Sequence, residues 1–378
     1  MNINTTYLGG NTSKPSPRKV CGLWAILFIL GWLFSGTVAA SDQFLLGLPP
    51  LDTSHDTPAK IALGKKLFFD TRLSSSGTIA CSSCHVPEKA FTDELPLAKG
   101  VANRIGTRNT PTIINAAFNT SQFWDGRRPT LEEQSLDPIV NQKEHGLKDI
   151  DEILKIFRQL YDYTSAVEEV FGVSLENTQP EHLKASLAAF ERTIIAGDSA
   201  FDRYYFLGDT SALSKSAERG YKVFTGHAQC SRCHLIEKNH ALLTDNKFHR
   251  LSIGLRSAGD KLSRAAVGIV NAIHKNENTG NQILSDEDTA ELGYFVVTQN
   301  PNDIGKFRTP SLRNVALTAP YMHDGSIATL EDAIEWEAYY RSDAEQTPLF
   351  LTPEEKEDLA AFLKSLTSSS LSRFEPRN

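Results

Sequence analysis

The chain of 378 residues is short of sulfur, of basic charge and of strand-like patterns. It has only 5 cysteines and 2 methionines, and Cys21 is the one cysteine outside two short motifs. No cysteine therefore remains for a disulfide framework, so a chain of this kind needs a large core or another covalent staple. Lysine and arginine number 39 against 46 aspartates and glutamates, which argues against a nucleic-acid partner. No stretch alternates apolar and polar residues convincingly over the length of a strand, and this predicts a mostly α-helical fold with few or no strands.

The first 40 residues have the pattern of a secretory signal peptide. Lys14, Arg18 and Lys19 precede an apolar run over residues 20–34, and small residues follow it. The run is short for a membrane span, although an uncleaved N-terminal membrane anchor is the alternative. We expect an exported, periplasmic protein. Residues 1–40 carry three basic and no acidic side chains, so the formal charge of −7 becomes −10 without them.

Two Cys-x-x-Cys-His motifs dominate the mature sequence. The first contains Cys81, Cys84 and His85, and the second contains Cys230, Cys233 and His234. This spacing is the attachment signature of a c-type haem, in which both thiols bind the haem covalently and the histidine ligates the iron. A redox-active cysteine pair or half of a zinc site is the alternative, but no further cysteine pair exists to complete a zinc site. The sequence therefore predicts two covalent haem c groups.

Each half of the mature chain carries one motif within a helical pattern. Periodic apolar residues predict helices over residues 58–69, 150–160, 163–171, 180–195, 214–224 and 352–366. Residues 63–69 (LGKKLFF) precede the first motif and residues 218–224 (ERGYKVF) precede the second, which indicates a weak internal repeat. We predict an N-terminal domain over residues 41–208 and a C-terminal domain over residues 209–378. Residues 255–288 are polar and suggest a surface insertion.

Seven stretches resemble the bacterial di-haem cytochrome c peroxidases and the related MauG proteins, in the order found in that family. They are residues 67–74 (LFFDTRLS), 108–112 (RNTPT), 122–127 (QFWDGR), 131–134 (LEEQ), 189–193 (AFERT), 307–314 (FRTPSLRN) and 319–325 (APYMHDG). The resemblance implies two cytochrome c-like haem domains packed around an inter-haem interface. It also implies reduction of hydrogen peroxide to water, with electrons from a small c-type cytochrome or a similar donor, and it raises the option of a homodimer.

The resemblance also implies roles for individual residues. Gln134 and Glu144 fall on the glutamine and glutamate of the family's peroxide pocket, where a base must move a proton between the peroxide oxygens. Trp124 matches the tryptophan on the electron route between the haems; a buried core tryptophan is the plainer interpretation. Asn109 and the main-chain carbonyls of Thr318 and Pro320 match the family's Ca²⁺ site, whose oxygen ligands suit this ion.

The sequence departs from the family at both iron centres. Residues 86–107, which carry the capping histidine in well-known members, contain no histidine and no methionine; Lys89 and Lys99 would have to lose their charge to bind iron. We therefore expect the first haem to be five-coordinate or water-bound at rest, with His145 the nearest candidate ligand outside the loop. The family places the sixth ligand of the second haem fourteen residues after the histidine that corresponds to His323, and Glu337 stands there. The candidates for this ligand are Glu337, Met322 and a displaced tyrosine, namely Tyr339 or Tyr340.

Two further functions stay open at this point. A MauG-like oxidase would use both haems to oxidise a residue of a partner protein. The missing loop histidine favours it, and the missing tyrosine at position 337 argues against it. A non-catalytic electron carrier is the third hypothesis, against which the Gln134 and Glu144 pair argues.

Overall fold

The fold is known here from a computed structural model, which describes residues 45–255, 259, 261–277, 279–340 and 349–374. The predicted signal segment, residues 1–40, lies outside the described residues, and so does Cys21. Among the helices of the described part of the chain, none is long and apolar enough to cross a membrane.

Helices account for nearly all of the regular structure. In the first half the α-helices are Pro58–Phe68, Cys81–Cys84, Leu131–Gln134, Ile150–Phe157, Thr164–Phe171, Pro180–Glu191 and Ala200–Leu207. In the second half they are Lys215–Thr225, Lys261–His274, Thr279–Ser285, Glu287–Ala290, Phe295–Thr298, Leu330–Tyr340 and Pro353–Lys364. Short 3-10 turns connect many of them. The prediction of a mostly helical fold is confirmed.

The described strands are two residues long. Phe248–His249 pairs antiparallel with Phe307–Arg308. This two-stranded ribbon pairs the segment that follows the second motif with the stretch 307–314. Its role is to hold these two loops in register, because a pair this short contributes little stability by itself.

Local sequence explains where the predicted helices begin and end. Thr57 accepts a hydrogen bond from the backbone N–H of Lys60 and precedes a proline at the first helical position, which is a favourable helix start. The helix predicted over residues 180–195 ends early, at Glu191. Its continuation turns tightly, and the carbonyl of Ile194 accepts instead from the N–H of Asn115. A tertiary contact therefore overrides the local pattern.

Each half has a long helix pair that crosses at a glycine. A Cβ placed on Gly64 would lie 1.8 Å from the carbonyl oxygen of Ser186, and one placed on Gly220 would lie 1.9 Å from that of Asp358. Only glycine permits backbones to approach this closely. The helix preceding each haem motif is therefore docked in the same way on a later helix of its own half, and the weak sequence repeat has a structural counterpart.

Three apolar clusters form the core. One contains buried side chains between Leu63 and Ala196, and the second contains side chains between Phe201 and Leu366. The third is built on Ile269, Ile283, Leu292, Phe295 and Val296. The segment 255–288 therefore contributes Ile269 and Ile283 to a small core that it shares with residues 292–296. The domain boundary at residues 208 and 209 stays a prediction, since the described residues form one compact unit.

The two halves meet through a reciprocal pair of backbone hydrogen bonds. The N–H of Asn109 donates to the carbonyl of His323 at 2.9 Å, and the N–H of Arg308 donates to the carbonyl of Trp124 at 2.9 Å. Asn109 and Arg308 occupy equivalent places before Thr-Pro, and Trp124 and His323 both precede Asp-Gly. The residue before each of these two is in the left-handed region, with φ of 67° at Phe123 and 74° at Met322. His323 is thus the second-half counterpart of Trp124.

Candidate functional site

The two motif histidines are prepared in the same way to bind a metal. His85 Nδ1 donates to the carbonyl of Phe91 at 3.2 Å, and His234 Nδ1 donates to the carbonyl of Leu243 at 2.9 Å. Burial lowers the pKa of both imidazoles, so each is neutral with its lone pair on Nε2. This is the tautomer that an axial iron ligand needs, because the bond at Nδ1 fixes the ring and leaves Nε2 free to coordinate.

A cavity of about 310 Å³ opens beside the second motif. Cys230, Cys233 and His234 all lie in its wall, together with Trp124 from the first half. Most of the other lining side chains are apolar, among them Phe224, Leu312, Ile334, Leu359 and Leu363. The four motif cysteines form no disulfide. A cavity that presents two thiols and a neutral imidazole between apolar walls fits a covalently attached haem.

Buried arginines supply a second indication of this fit. Arg308 Nε, Arg108 Nε, Arg108 Nη1 and Arg127 Nε are buried without a hydrogen-bond partner among the described residues. Burial alone lowers the pKa of Arg308 to about 10, and Arg308 also borders the cavity. Buried guanidinium nitrogens without a hydrogen-bond partner are costly. Haem propionates are planar carboxylates that guanidinium groups bind well, so Arg308, which borders the cavity, fits the anionic edge of the cofactor.

Glu144 has the electrostatics of a proton-transfer group. Its Oε2 is buried and has no hydrogen-bond partner among the described residues. Burial raises its pKa to about 7; the positive charge of Arg127 opposes this shift and the carboxylate of Asp137 adds to it. Burial, followed by the field of Glu144, also raises the pKa of the Cys84 thiol to about 12. Glu144 is therefore close enough to the first haem motif to interact electrostatically with it, and it is poised to exchange a proton near neutral pH.

Gln134 lies at the end of the short helix Leu131–Gln134, which Thr130 caps through the N–H of Glu133. Gln134 is half-buried, and within the described part of the chain its side-chain amide makes no hydrogen bond. Its carbonyl accepts from the N–H of Asp137, whose carboxylate acts on Glu144. Gln134 is thus connected with Glu144 only through Asp137, and no hydrogen bond joins the two side chains within the described residues.

The two lysines of the loop after the first motif are paired or exposed. Lys89 forms an ion pair with Glu94 at 2.9 Å, and Lys99 is exposed. The loop packs against the Glu144 segment, because the N–H of Val101 donates to the carbonyl of Glu144 at 2.8 Å. The open first iron at rest stays a prediction.

His145 is the third buried histidine whose Nδ1 donates to a backbone carbonyl. The acceptor is Leu73, at 2.9 Å, and only 4% of His145 is exposed. Burial lowers its pKa, and the nearby His85 lowers it further. Within the described residues Nε2 has no hydrogen-bond partner. His145 is therefore close to the proximal ligand of the first haem, which its position in the sequence did not reveal.

Trp124 lies in the wall of the second-haem cavity. Its Nε1 donates to the carbonyl of Asn109 at 3.0 Å, so its ring orientation is fixed from the interface side. Asn109, Thr318 and Pro320 border the same cavity, and Asn109 Nδ2 donates to Leu95 at 2.9 Å. The predicted Ca²⁺ ligands therefore border one cavity, and the Ca²⁺ site itself stays a prediction.

Two of the four candidates for the sixth ligand of the second haem iron line the cavity. Met322 and Glu337 both line it. Tyr339 is 50% exposed and Tyr340 stacks on Trp336 at 4.3 Å; neither is among the residues that line the cavity. The left-handed backbone of Met322 and the helix Leu330–Tyr340 bring the two cavity-facing candidates to the same space.

His249, Asp245 and Cys233 lie close enough together to resemble a small metal site. His249 Nε2 bonds Asp245 Oδ2 at 2.8 Å. The sulfur of Cys233 is the attachment atom of the second motif, and a thioether sulfur is a poor ligand for the ions that imidazole and carboxylate prefer. We therefore assign this cluster to the haem environment, where it holds the loop beside the motif.

Several polar residues of the site were not identified from the sequence. Arg108 and Arg308 lie in matched stretches, but their sequence environment does not show that they are buried. Glu291 follows the predicted insertion, and in the structure its carboxylate lies 3.2 Å from His323 Nε2. Its only sequence signal is its place directly before Leu-Gly-Tyr-Phe, where the polar segment ends.

Comparisons with known proteins agree with this arrangement. A family model described as di-haem cytochrome c peroxidase matches residues 58–211. The cytochrome-c peroxidase IdrP1 of Denitromonas iodatirespirans is 33% identical over 337 residues, covering 85% of both chains. The methylamine utilization protein MauG of Methylorubrum extorquens is 34% identical over 362 residues, covering 92% of both chains.

Solved structures share the fold. The crystal structure of a MauG-like protein associated with microbial copper homeostasis matches 86% of this chain and 95% of its own, with a TM-score of 0.66 and 31% identity. The similarity therefore extends through both haem motifs and includes peroxidases and MauG proteins at nearly equal identity.

Proposed function

The chain belongs to the family of di-haem cytochrome c peroxidases and MauG proteins, and from this premise we propose that it reduces hydrogen peroxide to water. The electrons come from a small c-type cytochrome or a similar redox protein. The two haems supply the redox chemistry when bound. Cys81, Cys84 and His85 hold the first, and Cys230, Cys233 and His234 hold the second.

The observation that carries this proposal is the carboxyl group of Glu144. A purely electron-carrying protein has no use for a carboxyl whose pKa is about 7 and whose Oε2 is buried without a hydrogen-bond partner among the described residues. Cleavage of peroxide requires a proton to leave the oxygen nearer the iron and to arrive at the farther one. A group with a pKa near neutrality both accepts and returns this proton efficiently.

The neighbouring residues prepare Glu144 for this task. Arg127 favours its ionised form and Asp137 its protonated form, so the two charges partly offset each other. Arg127 is itself held by Asp125 at 2.8 Å and lies 3.4 Å over the ring of Phe123. The half-buried amide of Gln134 supplies a hydrogen-bond donor for the peroxide. Trp124 serves as the electron route between the halves.

The donor and the compartment follow from charge and from the N-terminal pattern. We propose that residues 1–40 direct export and that the acidic mature chain docks a basic redox protein. An exported chain without disulfides needs another covalent staple, and two attached haems would supply it.

The test is steady-state peroxide turnover with a reduced small cytochrome c as donor. Glu144→Gln should keep both haems but lose about 10²–10⁴-fold in rate, as is typical for loss of a general acid–base group. The control is Glu88→Gln, which replaces an exposed carboxylate in the loop after the first motif and should keep the wild-type rate. A loss of less than threefold in Glu144→Gln removes this residue from the mechanism.

A MauG-like oxidase is the second candidate, favoured by a specific observation. MauG of Methylorubrum extorquens is as similar to this chain as the peroxidases are, and the loop after the first motif lacks a capping histidine. Peroxide consumption that requires a protein substrate, and that small cytochromes do not support, would select this function over the first.

A further inference from the structure

The segment that separates the second motif from the stretch 307–314 delivers one buried carboxylate to the interface. Glu291 directly follows the helix Glu287–Ala290 and is only 8% exposed. Both of its carboxylate oxygens lie 3.2 Å from His323 Nε2. The carboxylate has room only because residue 254 is a glycine, since a Cβ at Gly254 would lie 1.9 Å from Glu291 Oε2.

Glu291 belongs to a closed group of four side chains. His323 stacks on Phe307 with ring centroids 3.7 Å apart and an interplanar angle of 15°. The guanidinium carbon of Arg108 lies 5.0 Å from the centroid of the Phe307 ring, the second ring of that stack. Arg108 Nη1 is 4.0 Å from Glu291 Oε1. Arg108 Nη2 also donates to the carbonyl of Ala290. The orientation of His323 is therefore determined from both its ring face and its Nε2 edge.

This group borders the cavity of the second haem and contacts the first half of the chain. His323 and Phe307 line the cavity of the second haem. The carbonyl of His323 accepts from Asn109, whose own carbonyl accepts from Trp124 Nε1 at 3.0 Å. His323 is also the counterpart of Trp124 in the repeat. The carboxylate of Glu291 thus contacts His323, which occupies in the second half the position that Trp124 occupies in the first.

We infer that Glu291 is a positioning residue that sets the reduction potential of the second haem through His323 and Arg108. Reduction adds one negative charge to a haem. A buried carboxylate nearby opposes this charge, because interactions are weakly screened in the interior. The same carboxylate offsets the charge of Arg108, whose Nε and Nη1 have no hydrogen-bond partner among the described residues and which would otherwise favour the reduced state. Both effects lower the reduction potential of the second haem.

The test is a spectroelectrochemical titration of the holoprotein, in which each haem is followed by its own absorption and paramagnetic resonance signals. Glu291→Gln keeps the shape and removes the charge, and we expect the ratio of reduced to oxidised second haem, at a fixed potential near the wild-type midpoint, to rise at least threefold. Glu287→Gln removes an exposed charge one helical turn away and should leave the ratio unchanged.

Unchanged potentials of both haems in Glu291→Gln, with both haems attached, would overturn the inference. An equal shift in Glu287→Gln would also overturn it, because the effect would then be one of net charge. If Glu291→Gln fails to load its haems, Glu291→Asp keeps the charge and withdraws it by one methylene from His323. A changed potential there supports the inference and an unchanged one refutes it.

The inference rests on the proposed haem loading but not on peroxide chemistry. The titration uses no peroxide, so a protein without peroxidase activity still gives an answer. Conversely, normal turnover combined with unchanged potentials would refute the role of Glu291 and leave the proposed function intact.

Discussion

Replacement of Glu144 by glutamine should make the stability of the protein less dependent on pH. The ordinary pKa of this carboxyl is 4.5, and burial raises it to about 7 in the folded chain. Below pH 4.5 the group is protonated in both the folded and the unfolded states. Between pH 4.5 and 7 the unfolded chain loses this proton first, so ionisation progressively favours unfolding.

The size of this effect follows from the two pKa values. At 1.36 kcal/mol per pKa unit, the shift from 4.5 to about 7 corresponds to about 3 kcal/mol of unfolding free energy that wild type loses by pH 8. Glutamine cannot ionise, so Glu144→Gln avoids this loss. The difference in unfolding free energy between the variant and wild type should therefore rise by about 3 kcal/mol from pH 4 to pH 8.

The assay is guanidinium unfolding of the haem-loaded protein at several pH values, followed by far-ultraviolet circular dichroism. Glu88→Gln, whose carboxylate is exposed, is the matched control and should give a flat difference. The same carboxyl should appear in the pH–rate profile, where wild-type turnover rises through about pH 7 and the variant loses this limb. A flat or falling difference for Glu144→Gln would refute the argument that the group is desolvated.

Three further predictions concern the haems. Mass spectrometry of the mature chain should show two covalent haems, and Cys84→Ala and Cys233→Ala should each weaken the attachment of one; a wild-type mass with one haem or none would contradict the assignment of the motifs. The first haem should give a high-spin ferric signal at rest and respond to peroxide without a reductant. A low-spin, two-histidine signal would contradict this, and His145→Ala would then identify the second histidine. At the second haem, Glu337→Gln or Met322→Leu should change the near-infrared ligand band of the protein, whereas an unchanged spectrum in both would exclude these two ligands.

Local chemistry allowed much of the helical framework to be predicted. Proline at the first position and a threonine cap determine the start of Pro58–Phe68 and of Pro353–Lys364. The Cys-x-x-Cys-His motifs are equally local, because the attachment of haem requires residues only four positions apart. The helix that ends at Glu191 was predicted too long, since the N–H that donates to the carbonyl of Ile194 belongs to Asn115, almost eighty residues earlier.

The environment of the site depended on tertiary contacts that a single sequence does not show. Glu144 follows a lysine, so without the family resemblance it would be interpreted as a solvated carboxylate; its burial results from packing of the loop after the first motif. Arg308 has no charged neighbour in the sequence that marks it as buried. Glu291 and His323 are more than thirty positions apart, and only the fold brings them to hydrogen-bonding distance.

The reciprocal hydrogen bonds between the halves bear on how such a protein arises. Two identical protomers joined by an isologous interface exchange the same contact twice, once in each direction. Here Asn109 donates to His323 and Arg308 donates to Trp124, both at 2.9 Å. This is the geometry expected of a two-fold symmetric ancestor whose protomers were fused by duplication. An indole and an imidazole now stand at the equivalent position of the two halves. The contact is therefore symmetric in its backbone hydrogen bonds and unsymmetric in the side chains that it places between the halves.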